Sequence, residues 1–401
     1  MLSVSEGQAE VRRHARPLPA LSVPLTPGVL GRVLAEDVAS DIDMPPYDKA
    51  LMDGYAVRAQ DLEGGRATLQ VVEEISAGMV PERSVGAKQA ARIMTGAPIP
   101  PGADSVVMIE RSRMLDGEQV EIEDARFAVA QNVLVRGREF RQGQVVLPKG
   151  TILRPQDLGL LAAVGRTRAL LFPSPEVAIL PTGDEVVEPS EKLGPGQIRN
   201  SNAVTLTALV ERAGGTPCYL GIARDRIEHL GPLLQEGLRK SILVLAGGVS
   251  MGKRDLVPEA LQAAGVQPHF HKVEMKPGKP IFFGTRGTTL VFGLPGNPVS
   301  AFVCFELFVR PAIRLLRGEP DPGPKITRAI LTTEFNYRTD RPTFYPVVVS
   351  EEEGRWLIRP LPWFGSADLK GLSGANGFAC LERGDHHYAA GQVLPVLRVE
   401  A

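Results

Sequence analysis

Ile242-Leu243-Val244-Leu245-Ala246-Gly247-Gly248, an apolar run that ends in two glycines, decides the fold. Aliphatic residues with no polar alternation read as a strand buried on both faces, as in a parallel sheet covered by helices. The flanking sequence agrees. Val177-Ala178-Ile179-Leu180 is another apolar strand, followed by a helix over 203–213 with Asn202 as its N-cap and Gly214 just past its end. The pattern continues with a strand at 219–223 and a helix at 227–239 that puts Leu230, Leu233, Leu234 and Leu238 on one face. A helix at 256–264 follows, then strands at about 267–273, 280–284 and 289–293, and one long helix from Pro298 to about Leu316. Repeated strand–helix units of this kind make a mostly parallel α/β domain.

Working outward, the 401 residues exceed what one compact domain usually holds. The fold class is α/β multidomain. Residues 1–44 together with 140–174 read as an N-terminal and linking part, broken by Pro17, Pro19, Pro24 and Pro27 and carrying a helix-like patch at 156–164. Residues 45–139 are rich in Gly, Val and Pro, with alternating runs such as Gln119-Val120-Glu121-Ile122-Glu123, and form an inserted β-rich domain. The α/β domain spans 175–320. The stretch Gly318-Glu319-Pro320-Asp321-Pro322-Gly323-Pro324 is a boundary, and 325–401 reads as a small C-terminal β domain.

Composition narrows the function. Forty-five basic residues against 46 acidic ones, net charge -1, exclude nucleic acid or an anionic membrane as the main partner while allowing a local pocket for a small anion. Cys218, Cys304 and Cys380 form no C-x-x-C pair, and Cys304 sits in the apolar run 301–305 as a buried small hydrophobe. Reduced thiols, and the charged Glu10-Val11-Arg12-Arg13-His14 where a secretory signal needs its apolar core, point to a cytoplasmic protein without a membrane span.

Polar groups gather where an open parallel sheet binds ligands, beyond the carboxyl ends of its strands. Those ends carry Thr182-Gly183-Asp184-Glu185, Arg224-Asp225, the loop from Gly247 to Asp255, Met275-Lys276-Pro277-Gly278-Lys279-Pro280, and Gly293-Leu294-Pro295-Gly296-Asn297-Pro298. Gly247 and Gly248 let backbone approach a ligand, and Asn297-Pro298 opens a helix whose unpaired N–H groups suit phosphate. Each alone is also ordinary turn and cap chemistry. Lys276 and Lys279 strengthen the anion reading. Asp184, Glu185, Asp225 and Asp255 converge on the same edge, and oxygen ligands beside phosphates point to Mg2+. There is no Walker loop and no G-x-G-x-x-G. The histidines read as solvated or structural, since none has acidic or cysteine partners at metal-ligand spacing. In the β-rich domain, Asp53 before Gly54 reads as a turn residue. The residues by themselves define an α/β enzyme for a phosphate ligand with Mg2+.

Six strings then occur in order: Met52-Asp53-Gly54-Tyr55-Ala56-Val57, Ile93-Met94-Thr95-Gly96-Ala97-Pro98, Pro181-Thr182-Gly183-Asp184-Glu185, Gly247-Gly248-Val249-Ser250-Met251-Gly252, Met275-Lys276-Pro277-Gly278-Lys279-Pro280 and Gly293-Leu294-Pro295-Gly296-Asn297-Pro298-Val299-Ser300. Together they resemble the molybdopterin molybdotransferase family of the MoeA and gephyrin type. The likeness runs from about residue 30 to the C-terminus, through Gly365-Ser366 and Gly374-Ala375-Asn376-Gly377. It implies insertion of molybdate into adenylyl-molybdopterin, with Mg2+ required, AMP released and no ATP consumed. It also implies an elongated homodimer whose cleft joins the α/β domain of one subunit to the β domain of the other. Transient contacts with the molybdopterin adenylyltransferase and with molybdoenzyme chaperones follow from the same likeness.

Carried over residue by residue, Asp53 matches the family's essential carboxylate and Thr95 its neighbour in the site. Glu185, Asp225 and Asp255 match positions that hold ligand or Mg2+. Gly247, Gly248, Ser250, Pro295, Gly296 and Asn297 match the cradle of the pterin and its phosphate. Lys276, Lys279, Ser300, Arg341 and Ser366 are candidates for molybdate, a dianion needing cations and hydroxyl donors. The chain departs from the family pattern at Lys49, Glu139, Asn200 and Pro346. Rival readings are the preceding adenylylation step, the same insertion with tungstate, and a non-catalytic scaffold. The domains around the α/β core and the intact Asp53 favour insertion.

Overall fold

The structure, a computed structural model, describes residues 1–248 and 256–399. Its internal contacts divide the chain into two units, one of Met1–Ala35, Gly150–Arg154 and Ala169–Ala401, the other of Glu36–Lys149 and Pro155–Arg168.

The first unit is built on a six-stranded sheet in the order Thr216–Tyr219, Glu176–Pro181, Ile242–Ala246, Thr289–Leu294, Phe282–Arg286, Gln267–Phe270. The first three pairings are parallel and the last two antiparallel. Strand alternation splits the apolar run between two cores. Ile242, Val244 and Ala246 join Val177, Ile179, Leu206 and Leu209 on one face. Leu243 and Leu245 join Ala178, Leu180, Leu230 and Leu234 on the other. Each fully buried Val, Leu or Ile contributes about 1.5–3 kcal/mol, so a central strand covered on both faces is held strongly.

Several expected boundaries move for local reasons. The strand placed at 219–223 is instead Thr216–Tyr219, because Gly221 takes φ +85° and ends the extended run. The helix expected from residue 203 is Ser201–Arg212, and its N-cap is Asn200, whose side chain accepts from the Ala203 N–H at 3.0 Å. Asn202 is not the cap. The long helix at 298–316 is interrupted by a π turn at Phe305–Val309, between Pro298–Cys304 and Arg310–Leu316. Pro311 has no N–H to offer the Leu307 carbonyl, and Gln8 Nε2 donates to that oxygen instead at 3.0 Å.

A closed five-stranded barrel, Ile326–Leu331, Arg355–Pro360, Thr343–Glu352, Gly377–Leu381 and Val393–Arg398, ends the described chain around Leu331, Val347, Ile358 and Val396. At the other end, the helix Val4–His14 starts with a capping box between Ser3 and Glu6.

The second unit carries its own six-stranded sheet, ordered Ser105–Met108, Gly54–Val57, Gln89–Ile93, Arg66–Ile75, Gln119–Glu123, Ser112–Met114. Its strands alternate between two small cores, Ala56 facing one and Tyr55 and Val57 the other. A Cβ on Gly54 would lie 1.9 Å from the Val107 carbonyl oxygen, so this position next to Asp53 accepts only glycine. No helix among the described residues is long and apolar enough to cross a membrane.

Candidate functional site

Glu176–Pro181 lies between the strands that follow it, Thr216–Tyr219 on one side and Ile242–Ala246 on the other. The connection from Glu176–Pro181 runs outward to Thr216–Tyr219, whereas that from Ile242–Ala246 runs the other way to Gln267–Phe270, and the crevice so formed at the carboxyl ends is where open α/β sheets bind ligands. A cleft of about 370 Å³ sits there, lined among others by Thr182, Glu185, Asn200, Asn202, Gly247, Gly248, Pro295, Gly296 and Asn297. Backbone bonds knit its floor: Thr182 N–H donates to the Ala246 carbonyl and Gly247 N–H to the Leu294 carbonyl, both at 3.0 Å.

Gly247 and Gly248 take φ +102° and +62°. A Cβ on Gly247 would meet the Thr182 carbonyl oxygen at 2.6 Å, and one on Gly248 would meet Thr182 Oγ1 and Val257 Cγ2, each at 2.7 Å. The glycines therefore let two strand ends close against each other at the bottom of the cleft. Gly247→Ala is expected to cost about 1–3 kcal/mol through the forced backbone geometry and to weaken anion binding in the cleft. Denaturant unfolding and a phosphate titration check both effects; wild-type values in both would remove the constraint from this turn.

Thr182 is buried, and its Oγ1 finds no hydrogen-bond partner among the described residues. A buried hydroxyl left so costs about 1–3 kcal/mol, which a polar ligand group can offset. Thr182 was not among the residues singled out from the sequence, where it was one letter of a turn string; its burial is visible only once the strand ends are set side by side.

The helix beginning at Pro298 faces the same cleft. Asn297 is its N-cap, but the side chain makes no cap bond; Asn297 Nδ2 donates instead to Ser366 Oγ at 2.8 Å. The Val299 N–H donates to the Ser366 carbonyl at 3.0 Å, and Asn202 Nδ2 donates to the Gly296 carbonyl at 2.7 Å. Ser366, distant in sequence, is thus brought to Asn297, while Ser300 lies buried in the first helical turn.

The described carboxylates at this edge divide between two hollows. Glu185 lines the cleft, whereas Asp184 lines a neighbouring hollow with Gln197, Arg224 and His229. Asp225 N–H donates to Asp184 Oδ1 at 3.2 Å, and the oxygens of Asp184, Glu185 and Asp225 are not among the groups that meet within 4.8 Å among the described residues. Ser250 and Asp255 lie outside the described residues. Arg224, which sequence reading mentioned only in passing, spans the loop by donating to the carbonyls of Asp184 and Val186 at 3.1 and 2.9 Å. One carboxylate at a phosphate-suited cleft fits Mg2+, which commonly takes one or two protein oxygens and fills its remaining positions with phosphate and water.

Lys276 and Arg341 lie at the barrel instead. Lys276 N–H donates to the Pro342 carbonyl at 2.9 Å, its Nζ lies 5.3 Å over the Tyr337 ring, and it lines a hollow with Arg338, Thr339, Asp340 and Arg383. Arg341 is paired with Asp340, Nε to Oδ1 at 3.0 Å. Lys279 is half-buried, and its carbonyl accepts from Val273 N–H at 3.1 Å. Neither lysine lines the Gly247–Gly248 cleft.

In the second unit Asp53 and Thr95 meet. Asp53 Oδ1 accepts from both the backbone N–H and the hydroxyl of Thr95, each at 2.7 Å. These two bonds, the backbone one first, hold the Asp53 carboxyl below the usual carboxylate range. The turn predicted at Asp53 is therefore a carboxylate fixed by its partner, and the pair is exposed.

These features define a small-molecule-binding α/β protein with an anion-suited crevice, set among additional β domains. The sequence pattern of the MoeA N-terminal region (domain I and II) matches residues 2–165, that of a probable molybdopterin binding domain 178–315, and that of the MoeA C-terminal region (domain IV) 328–399. A Bacillus subtilis protein named molybdopterin molybdenumtransferase is 37% identical over 377 residues, 92% of this chain and 88% of its own length. A Staphylococcus aureus protein of the same name is 31% identical, covering 100% of this chain and 96% of its own. The crystal structure of the molybdopterin biosynthesis MoeA protein from Pyrococcus horikoshii superposes with a TM-score of 0.85 at 30% identity, covering 100% of both chains. The chain belongs to the molybdopterin molybdenumtransferase (MoeA) family.

Proposed function

We propose that this enzyme inserts molybdenum from molybdate into adenylyl-molybdopterin and releases AMP, a step of molybdenum cofactor biosynthesis. The observation that carries the reading is the crevice at the switch point of the sheet, where the Gly247-Gly248 turn, the Pro298 helix start and the unpartnered Thr182 hydroxyl meet. The Gly248 and Ser300 N–H groups would bind phosphate oxygens, those of Gly247 and Val299 being taken by the Leu294 and Ser366 carbonyls, and Thr182 would supply a hydroxyl donor or acceptor. Pro295, Gly296 and Asn297 shape the wall against which the pterin lies, with Ser250 assigned to the same cradle. Glu185, with Asp225 and Asp255, would hold Mg2+, which when bound neutralises the phosphate oxygens. Lys276, Lys279, Ser300, Arg341 and Ser366 are assigned to molybdate. Ser366 is the best supported of these, since its hydroxyl accepts from Asn297, a residue that lines the cleft. Asp53 and Thr95 serve the chemical step, in which the phosphoanhydride is cleaved and the dithiolene ligates the metal.

The four-part division read from the sequence, the cytoplasmic location, the homodimer and the transient contacts with the adenylyltransferase and chaperones belong to the same proposal. The test is incubation of the purified chain with adenylyl-molybdopterin, Mg2+ and molybdate or tungstate, following AMP release and reconstitution of a molybdoenzyme. Molybdate-dependent AMP release with active cofactor supports insertion. Adenylylation of bare molybdopterin by ATP, without that release, would move the enzyme to the preceding step.

A further inference from the structure

We propose that Glu10, His14 and His269 form a binding site for one divalent transition-metal ion of the Zn2+ class, distinct from the residues that line the crevice. The sequence reading found no histidine with an acidic partner at ligand spacing, yet Glu10 and His14 are four apart on one helix and so share a face. His269 comes from the edge strand Gln267–Phe270, which no spacing rule connects to residue 14. One ligand atom from each of the three lies within 4.8 Å of the others, and this is the group of metal-ligating side chains found so close among the described residues.

The surroundings resemble a supported site. His14 Nε2 lies 3.1 Å from Glu10 Oε1, and Arg13 Nη1 donates to the other Glu10 oxygen at 2.8 Å. The Thr285 hydroxyl lies 2.9 Å from His269 Nε2 and fixes that ring, the part outer hydrogen bonds play around metal-binding imidazoles. The His14 and His269 rings stack at 3.8 Å with 21° between planes, beside Phe283, so one imidazole turns out of the stack for both in-plane lone pairs to meet an ion. All three residues are half-buried and so remain within reach of solvent. Two imidazoles and one carboxylate, with a fourth position for water, form a familiar Zn2+ donor set, and nitrogen ligands select Zn2+, Co2+, Ni2+ or Cu2+ over Mg2+. Side-chain rotation draws the ligand atoms onto the ion, which then ties the N-terminal helix to the edge of the sheet.

The experiment titrates the full chain with Co2+ in excess Mg2+ and reads its visible absorption, then displaces Co2+ with Zn2+ and follows thermal unfolding. We expect the intense bands of four-coordinate Co2+ at one equivalent per chain, and a rise in unfolding temperature with Zn2+. His14→Phe and His269→Phe keep an aromatic ring in the stack but remove the ligand, and should lose both signals while unfolding normally in Mg2+ alone. Glu10→Gln, which leaves the stack intact, should weaken Zn2+ binding about 10-fold or more. The proposal is overturned by the weak spectrum of hydrated Co2+ in the wild type, by wild-type signals in both histidine variants, or by a thiolate charge-transfer band that puts the ion on a cysteine.

Discussion

Replacing Asp53 by alanine is expected to lower kcat for AMP release by about 10²–10⁴-fold, the range for removal of a group that manages a proton in the chemical step. The fold should survive, because Asp53 is exposed and contributes no apolar surface. Its two bonds from Thr95 keep the carboxylate ionised well into acid solution. A carboxylate so held stays charged across the working pH range and can accept the hydrogen of a water or a ligand. Asp53→Asn should therefore fail nearly as badly as alanine, although it matches the shape. Thr95→Val removes the hydroxyl bond and leaves the backbone one, so the loss should be smaller and the acid limb of activity should move to higher pH. The sign for stability follows from the same depression: the Asp53–Thr95 contribution is fully present above the unfolded carboxylate value, near 3.9, and fades as pH falls through the lower folded value. Stability measured between pH 5 and pH 8 should carry no signature of this group. The checks are AMP release by each variant across pH, beside circular dichroism. An Asp53→Ala enzyme with wild-type turnover would dismiss the carboxylate from the chemistry.

What was legible in the sequence follows from which physical signals are local. The apolar strands and the glycine turns announce themselves in a few consecutive residues, so the central sheet and the phosphate-suited edge could be read directly. Of Lys276–Pro280, only Pro280 lines the crevice, while Lys276 turns to the barrel, a parting that no local signal in this Pro- and Lys-rich string announces. Cap choice failed at Asn200 against Asn202, since both residues suit the role and the chain's exit from the short Ile198–Arg199 strand decides between them. The π turn depended on Pro311 meeting a side-chain donor from Gln8, some 300 residues away in the chain. Convergence is the least local property of all. It separated Asp184 from Glu185, brought Ser366 to Asn297, exposed the unpartnered hydroxyl of Thr182, and assembled Glu10, His14 and His269 from parts that no motif links.

The largest stability effect is expected at Glu306, on the π turn of the long helix. Its side chain is fully buried, and it faces two guanidiniums, Arg212 Nη2 at 2.6 Å and Arg310 Nη1 at 3.1 Å. Arg310 is itself 4% exposed, whereas Arg212 at 28% still reaches solvent. Glu306→Ala takes the carboxylate from both guanidiniums and leaves a cavity beside them, and breaking a buried pair from one side costs about 3–5 kcal/mol. Against a typical total of about 5–15 kcal/mol, that is enough to unfold a sizeable fraction of the chain at moderate temperature. Glu306→Gln keeps the volume and one acceptor and should lose less. The decisive comparison is the double variant Glu306→Met with Arg310→Leu. It removes both buried charges together and should recover much of the loss, since apolar residues of similar volume can replace a buried ion pair at little cost. Equilibrium unfolding in denaturant, compared at constant slope, separates the outcomes. If Glu306→Ala were as stable as the wild type, the charge would not be anchored by this pair. If the double variant were no better than the single, the cost would lie in lost packing and not in the broken ion pair. Because Glu306 lies on the helical rod that starts at Pro298, the same network secures the element whose first turn faces the crevice, so stability here and ligand binding there are carried by one continuous piece of backbone.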